Sequence, residues 1–146
     1  GERIGYVAAS PLIKNGRALM DARIFANRIL GFINAPAMMQ RLVGKFQENS
    51  IDIADYQRKR DLLCGILTGA GYEVVKPMGA FYVFPKSPMA DDVQFIRALQ
   101  RHHILAVPGV GFGTPGYFRL AYCVDTTVIE RSAPYFVEAI EDVRRG

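Results

Sequence analysis

The chain has 146 residues, half of them apolar or aromatic, enough to bury a core, and no apolar run approaches the roughly 20 residues needed to cross a bilayer. Lysine plus arginine exceed aspartate plus glutamate by 18 to 14, a net charge of +4, but the basic residues are scattered and lack interleaved aromatics, so a nucleic-acid partner gains no support. The N-terminal residues lack the order of a signal peptide, and Cys64 and Cys123 stand alone without C-x-x-C spacing, which together predict a reducing, cytoplasmic setting and no disulfide or zinc framework.

In chain order, Ile4, Tyr6 and Ala8 alternate against Arg3, Gly5 and Val7, a pattern that predicts a short strand in need of a partner. After the Lys14-Asn15-Gly16 turn, Leu19, Ala22, Ala26, Ile29 and Ile33 recur at helical spacing over 17–32, with Phe25, Leu30 and Phe32 outside that stripe. Pro36 opens a second helix with Met39, Leu42, Val43 and Phe46 as its apolar stripe; Met38 and Met39 read as core filler. A longer helix runs from Ser50 to about Thr68, with Gly69 and Gly71 as natural C-caps and Arg58, Lys59 and Arg60 on a solvated face.

The runs YEVVKP and GAFYVFPK are strand-like and separated by Pro77-Met78-Gly79, which predicts a hairpin or tight corner. Asp91 starts a helix through about His103, followed by the short apolar strand ILAVP, a glycine-rich segment, the strand YFRLAYCV and a final helix from about Thr127. This order predicts an α/β (α+β) fold, a small mixed β-sheet covered by helices mainly on one side. Adjacent His102 and His103 cannot share one face of a helix or strand, so they read as surface or capping residues and not as metal ligands.

Gly111, Gly113 and Gly116 spell G-x-G-x-x-G, the spacing of phosphate-cradling loops. A dinucleotide site needs a helix next, whereas Tyr117 to Tyr122 reads as a strand and Pro115 sits where that helix would nucleate. The kinase form of the loop would need an H-R-D catalytic loop, which this chain does not contain. The glycines therefore read as backbone freedom between two strands.

Arg119 is the more informative residue. Alternation places it with Ala121 and Cys123 on one face, opposite Phe118, Leu120 and Tyr122. Its guanidinium fork suits a carboxylate held by two parallel hydrogen bonds; by spacing alone, an edge-strand arginine reaching water or a structural Asp or Glu carries equal weight.

GERIGY, KPMGAFYVFP and AVPGVGFGTPGYFRLAYC, in that order and over essentially the whole chain, resemble the C-terminal part of class I/II aminotransferases, pyridoxal 5'-phosphate enzymes of the aspartate aminotransferase fold type. The resemblance implies that residues 1–40 finish the large, cofactor-binding domain with a strand and a helix, and that 41–146 form the small domain. It implies that Arg119 binds the α-carboxylate of the substrate and that Arg3 contacts the cofactor phosphate. Gly79 to Tyr82 resemble a small-domain strand on the substrate side of the cleft, and Ala121 stands where the family often has serine. The cofactor-binding (Schiff-base) lysine of the family precedes the GERIGY-like stretch. None of Lys14, Lys45, Lys59, Lys76 and Lys86 has that context, so no catalytic residue is expected in this chain.

For function, the resemblance implies a homodimeric parent that moves an amino group between an amino acid and a 2-oxo acid, with this fragment alone inactive and prone to self-association through residues 1–8 or 17–32. Two alternatives stay open: a non-catalytic α/β binding module, and a lyase or synthase of the same cofactor fold type.

Overall fold

A computed structural model describes residues 3–145. The chain divides into two compact units, Gly1–Ile51 and Asp52–Gly146. The first contains helices α1 (Gly16–Ile29) and α2 (Ala37–Lys45), neither of which buries a residue. Asn15 caps α1 from the left-handed region at φ 60°, and Pro36 caps α2 instead of entering it. Residues 3–10 form no strand, contrary to the alternation, because no ladder partner lies opposite them among the described residues. Helix α1 stops at Ile29 and not at residue 32: Gly31, at φ 84°, turns the chain out of the helix.

The second unit runs α3 (Ile53–Gly69), β1 (Tyr82–Val83), α4 (Asp92–Arg101), β2 (Val107–Pro108), a 3-10 turn (Gly109–Phe112), β3 (Phe118–Ala121) and α5 (Thr126–Arg145). Short polar side chains start its helices: Asp52 accepts from Asp55 N at 2.9 Å, and Asp91 accepts from Gln94 N at 2.9 Å. Both helices end in the same paired pattern. Gly71, at φ 95°, donates to Thr68 O while Tyr72 N donates to Leu67 O; His103, at φ 60°, donates to Gln100 O while Ile104 N donates to Leu99 O. His103 is therefore a helix cap, as expected. His102 faces α5, its Nδ1 3.1 Å from Glu138 and its Nε2 2.9 Å from Asp142.

The strands pair antiparallel in the order β1-β3-β2, with Val83 opposite Leu120 and Val107 opposite Arg119. One sheet face carries the buried Val83, Phe118 and Leu120 into a core shared with Leu67 of α3, Phe95 and Leu99 of α4 and Phe136 of α5. Each such side chain contributes about 1.5–3 kcal/mol by leaving water. The fold is thus the expected class, helices with a small sheet, but the sheet is antiparallel and not mixed among the described residues. YEVVKP does not form a strand: its tie to the opposing run is Lys86 N donating to Glu73 O, too little to build a ladder. GAFYVFPK shrinks to Tyr82–Val83 because Ala80 takes a left-handed turn and Pro85 lacks an N–H.

Asp61 gives this unit a pH-dependent contribution. Arg60 Nε at 2.7 Å and Lys76 Nζ at 2.8 Å hold its carboxyl down to about 2. A depressed carboxyl adds stability above its ordinary value of 3.8, and this is lost as pH falls toward 2. Asp55, paired first with Lys59, and Asp125, accepting from Thr127, act in the same direction. In acid titrations of stability, Asp61→Asn should lose less between about pH 4 and 2 than the parent chain. Superimposable acid limbs would mean that Asp61 contributes nothing to the acid sensitivity.

Candidate functional site

Strand β3 places consecutive side chains on opposite faces, so the burial of Phe118 and Leu120 puts Arg119 on the open face of the sheet. There the guanidinium carbon lies 4.3 Å from the centroid of the Tyr82 ring and 4.2 Å from that of Phe112. Tyr82 comes from β1, where it pairs with Ala121, two residues from Arg119 on the same face. Phe112 comes from the 3-10 turn and is braced edge-on by Phe84 at 5.7 Å.

The two rings flank the guanidinium, and such cation–π contacts are worth about 0.5–1 kcal/mol each at a partly exposed site. Among the described residues no carboxylate pairs with Arg119. Arg119 thus stands on the central strand and not on an edge, without a structural ion pair among the described residues; an arginine open to water and one open to a ligand both fit this placement.

The glycine segment builds the turn that carries Phe112. No α-helix follows Gly116; β3 does, and the dinucleotide geometry is absent from this segment. Gly113 and Gly116 adopt φ 72° and 80°. Gly109, outside the G-x-G-x-x-G spacing, is the tightest position. A Cβ there would press on the carbonyl oxygens of Thr114 and Tyr117, since Gly109 N donates to Tyr117 O at 2.8 Å and Thr114 N donates to Gly109 O at 3.0 Å. Asp92, at the start of α4 and buried, accepts from Val110 N at 2.8 Å and fastens the turn to the helix.

Sequence reading missed Asp92, Phe112 and the role of the Tyr82 ring. An aspartate in a first helical turn satisfies the helix dipole wherever it points, so nothing in the sequence signals its reach to Val110. A further feature lies beside Tyr82. Ala80 holds φ 59°, a conformation that costs a residue with a Cβ about 1–2 kcal/mol, and the hydroxyl of Tyr122 donates to its carbonyl at 2.9 Å.

Arg3 lies in the first unit, exposed, and among the described residues it has no carboxylate partner. Three of the lysines are ion-paired: Lys59 with Asp55, Lys76 with Asp61 and Lys86 with Glu73. Their carboxylate partners push the ammonium groups of Lys59 and Lys86 up, opposite to the direction that makes a lysine nucleophilic. Among the described residues no three His, Cys, Asp or Glu converge as a metal site, and no helix is long and apolar enough to cross a membrane.

A partly exposed arginine thus sits between two aromatic rings on a small helix-backed sheet. A model of the family "Aminotransferase class I and II" matches residues 1–136. The chain belongs to the class I and II aminotransferases. It is 30% identical to the "Probable aspartate/prephenate aminotransferase" of Rickettsia prowazekii over 90% of this chain and 36% of that protein. With the aspartate/prephenate aminotransferase of Thermus thermophilus it shares 36% identity over 58% of this chain and 23% of that protein. A crystal structure of an aminotransferase from Eubacterium rectale superposes with a TM-score of 0.86 at 39% identity, covering 97% of this chain and 36% of that one. The chain thus spans about a third of the length of the curated relatives it matches.

Proposed function

We propose that this chain is the C-terminal part of a pyridoxal-phosphate-dependent aminotransferase that moves an amino group between an amino acid and a 2-oxo acid, and that Arg119 binds the substrate's α-carboxylate. The observation that carries this reading is the Arg119 guanidinium, set against Tyr82 and Phe112 without a carboxylate of its own among the described residues. Such a fork accepts a planar carboxylate through two charge-assisted hydrogen bonds. The names of the relatives support the reaction class and make L-aspartate the first amino donor to assay, with 2-oxoglutarate as the 2-oxo-acid probe.

Pyridoxal phosphate, when bound, supplies the electron sink for chemistry at the α-carbon. The contribution of this chain is orientation. A carboxylate clamped by Arg119 fixes which bond at the α-carbon faces the reacting groups, and a fixed geometry replaces entropy that a free encounter would lose. Arg3, exposed and without a carboxylate partner among the described residues, suits one contact to the cofactor phosphate. The paired lysines do not suit the cofactor-binding role, in keeping with a lysine supplied from outside these residues.

We place residues 1–40 with the large domain and 41–146 in the small domain, in a cytoplasmic homodimer whose small domain acts without catalysis of its own. The test is spectroscopic. The full-length natural polypeptide should show the visible absorbance of bound pyridoxal phosphate, perturbed by L-aspartate and reset by 2-oxoglutarate, while residues 1–146 alone should show neither absorbance nor turnover. A full-length polypeptide that takes up no pyridoxal phosphate would overturn the reading.

A further inference from the structure

We infer that the Tyr122 hydroxyl is a positioning residue for substrate binding: it latches the left-handed corner at Ala80 and through it sets the Tyr82 ring against Arg119. The inference rests on Arg119 being the carboxylate-binding residue and adds to it a residue that touches neither substrate nor cofactor.

Tyr122 follows β3 and is 2% exposed, its ring in the core. The hydroxyl leaves that core and donates to Ala80 O at 2.9 Å, with Gly79 O at 3.4 Å as a weaker second acceptor. Burial pushes the phenol's pKa up, so the group keeps its proton and stays a donor across the neutral range. Ala80 holds φ 59°, which an alanine keeps only where its surroundings over-determine it.

Two further hydrogen bonds flank the corner. Arg60 Nη1 of α3 donates to Pro77 O at 3.3 Å, and Tyr122 N donates to Phe81 O at 3.0 Å. One residue beyond Phe81, Tyr82 begins β1, its ring 4.4 Å from that of Phe81 and 4.3 Å from the Arg119 guanidinium carbon. If the corner relaxed toward φ below zero, the chain would enter β1 at a different angle and the Tyr82 ring would leave the guanidinium. The core needs the ring of Tyr122; the corner needs its oxygen. Phenylalanine separates the two.

The experiment uses the full-length protein with L-aspartate and 2-oxoglutarate as probes, comparing Tyr122→Phe, Ala80→Gly and the double variant. Tyr122→Phe should raise the KM for L-aspartate by about three- to tenfold, the worth of one hydrogen bond, with kcat within about twofold. Hydrogen exchange in peptides covering 79–83 should accelerate by a similar factor while exchange in α4 and α5 stays unchanged. Adding Ala80→Gly should return both readouts toward the parent, because glycine holds the left-handed corner without steric cost.

Unchanged KM and unchanged local exchange in Tyr122→Phe would overturn the latch, as would a double variant no better than the single. A core defect would instead accelerate exchange throughout the second unit and would not respond to Ala80→Gly. Failure of the carboxylate reading itself is recognised separately: Arg119→Leu would then leave the KM unmoved, and the exchange arm alone decides whether Tyr122 holds the corner.

Discussion

Arg119→Leu in the full-length protein should raise the KM for its amino-acid substrate by about two orders of magnitude, while the absorbance of bound pyridoxal phosphate stays in place. The size follows from the interaction removed. Hydrogen bonds to a charged partner are worth about 1.5–3 kcal/mol each, and a bidentate pair loses both together, less what water recovers at a partly exposed site. Leucine keeps apolar contact with Tyr82 and Phe112, so the sheet face should survive and the loss should fall on the ligand. Arg119→Lys is expected to lie between the two. It restores a positive charge but neither the fork nor its stacking on the rings. Steady-state kinetics at varied amino acid, with the spectrum as control, check the pair; a KM within a factor of two of the parent in Arg119→Leu would remove this residue from the binding site.

The neighbouring residue should give the opposite phenotype. Phe118 is fully buried, with its ring 5.2 Å from Phe95 and 5.8 Å from Tyr72, both in tilted or edge-on contact. Truncation to alanine removes the ring from a core that α4 and α5 close off, leaving a cavity those helices cannot collapse into, and should cost about 3–5 kcal/mol of unfolding free energy. That is a large share of a typical stability of about 5–15 kcal/mol. Phe118→Leu, which keeps most of the apolar volume, should cost markedly less. Urea unfolding checks both, and a loss below about 1 kcal/mol in Phe118→Ala would mean that the second unit does not close on this ring. One residue apart on β3, Arg119 is expected to change binding at constant stability and Phe118 stability first.

Helices were the most legible part of the chain. Their 3.6-residue stripes are local and their capping residues act within one turn, so Asp91 and the glycine and histidine C-caps declare themselves within a few positions of the helix they bound, whereas α3 is capped by Asp52 and does not start at Ser50. Strands were less so. A run such as YEVVKP has strand composition, but a strand exists only when another segment meets its N–H and C=O groups, and that partner lies far away in sequence. The same reason removed the expected strand at residues 3–10 among the described residues.

By itself the sequence determined the family, the helical frame of the second unit and the candidate cation. Alternation along YFRLAYC puts an arginine opposite three residues that must be buried, and that inference needs no knowledge of what surrounds it. Only the tertiary structure decided what Arg119 meets. The rings of Tyr82 and Phe112 reach it from segments 37 and 7 residues earlier. Asp92 and Tyr122 steady those segments through hydrogen bonds to backbone groups 18 and 42 residues away. Such contacts depend on where a chain closes in space, and side-chain-to-backbone bonds leave no signature in the acceptor's identity, because every residue offers the same carbonyl and nearly every one the same N–H.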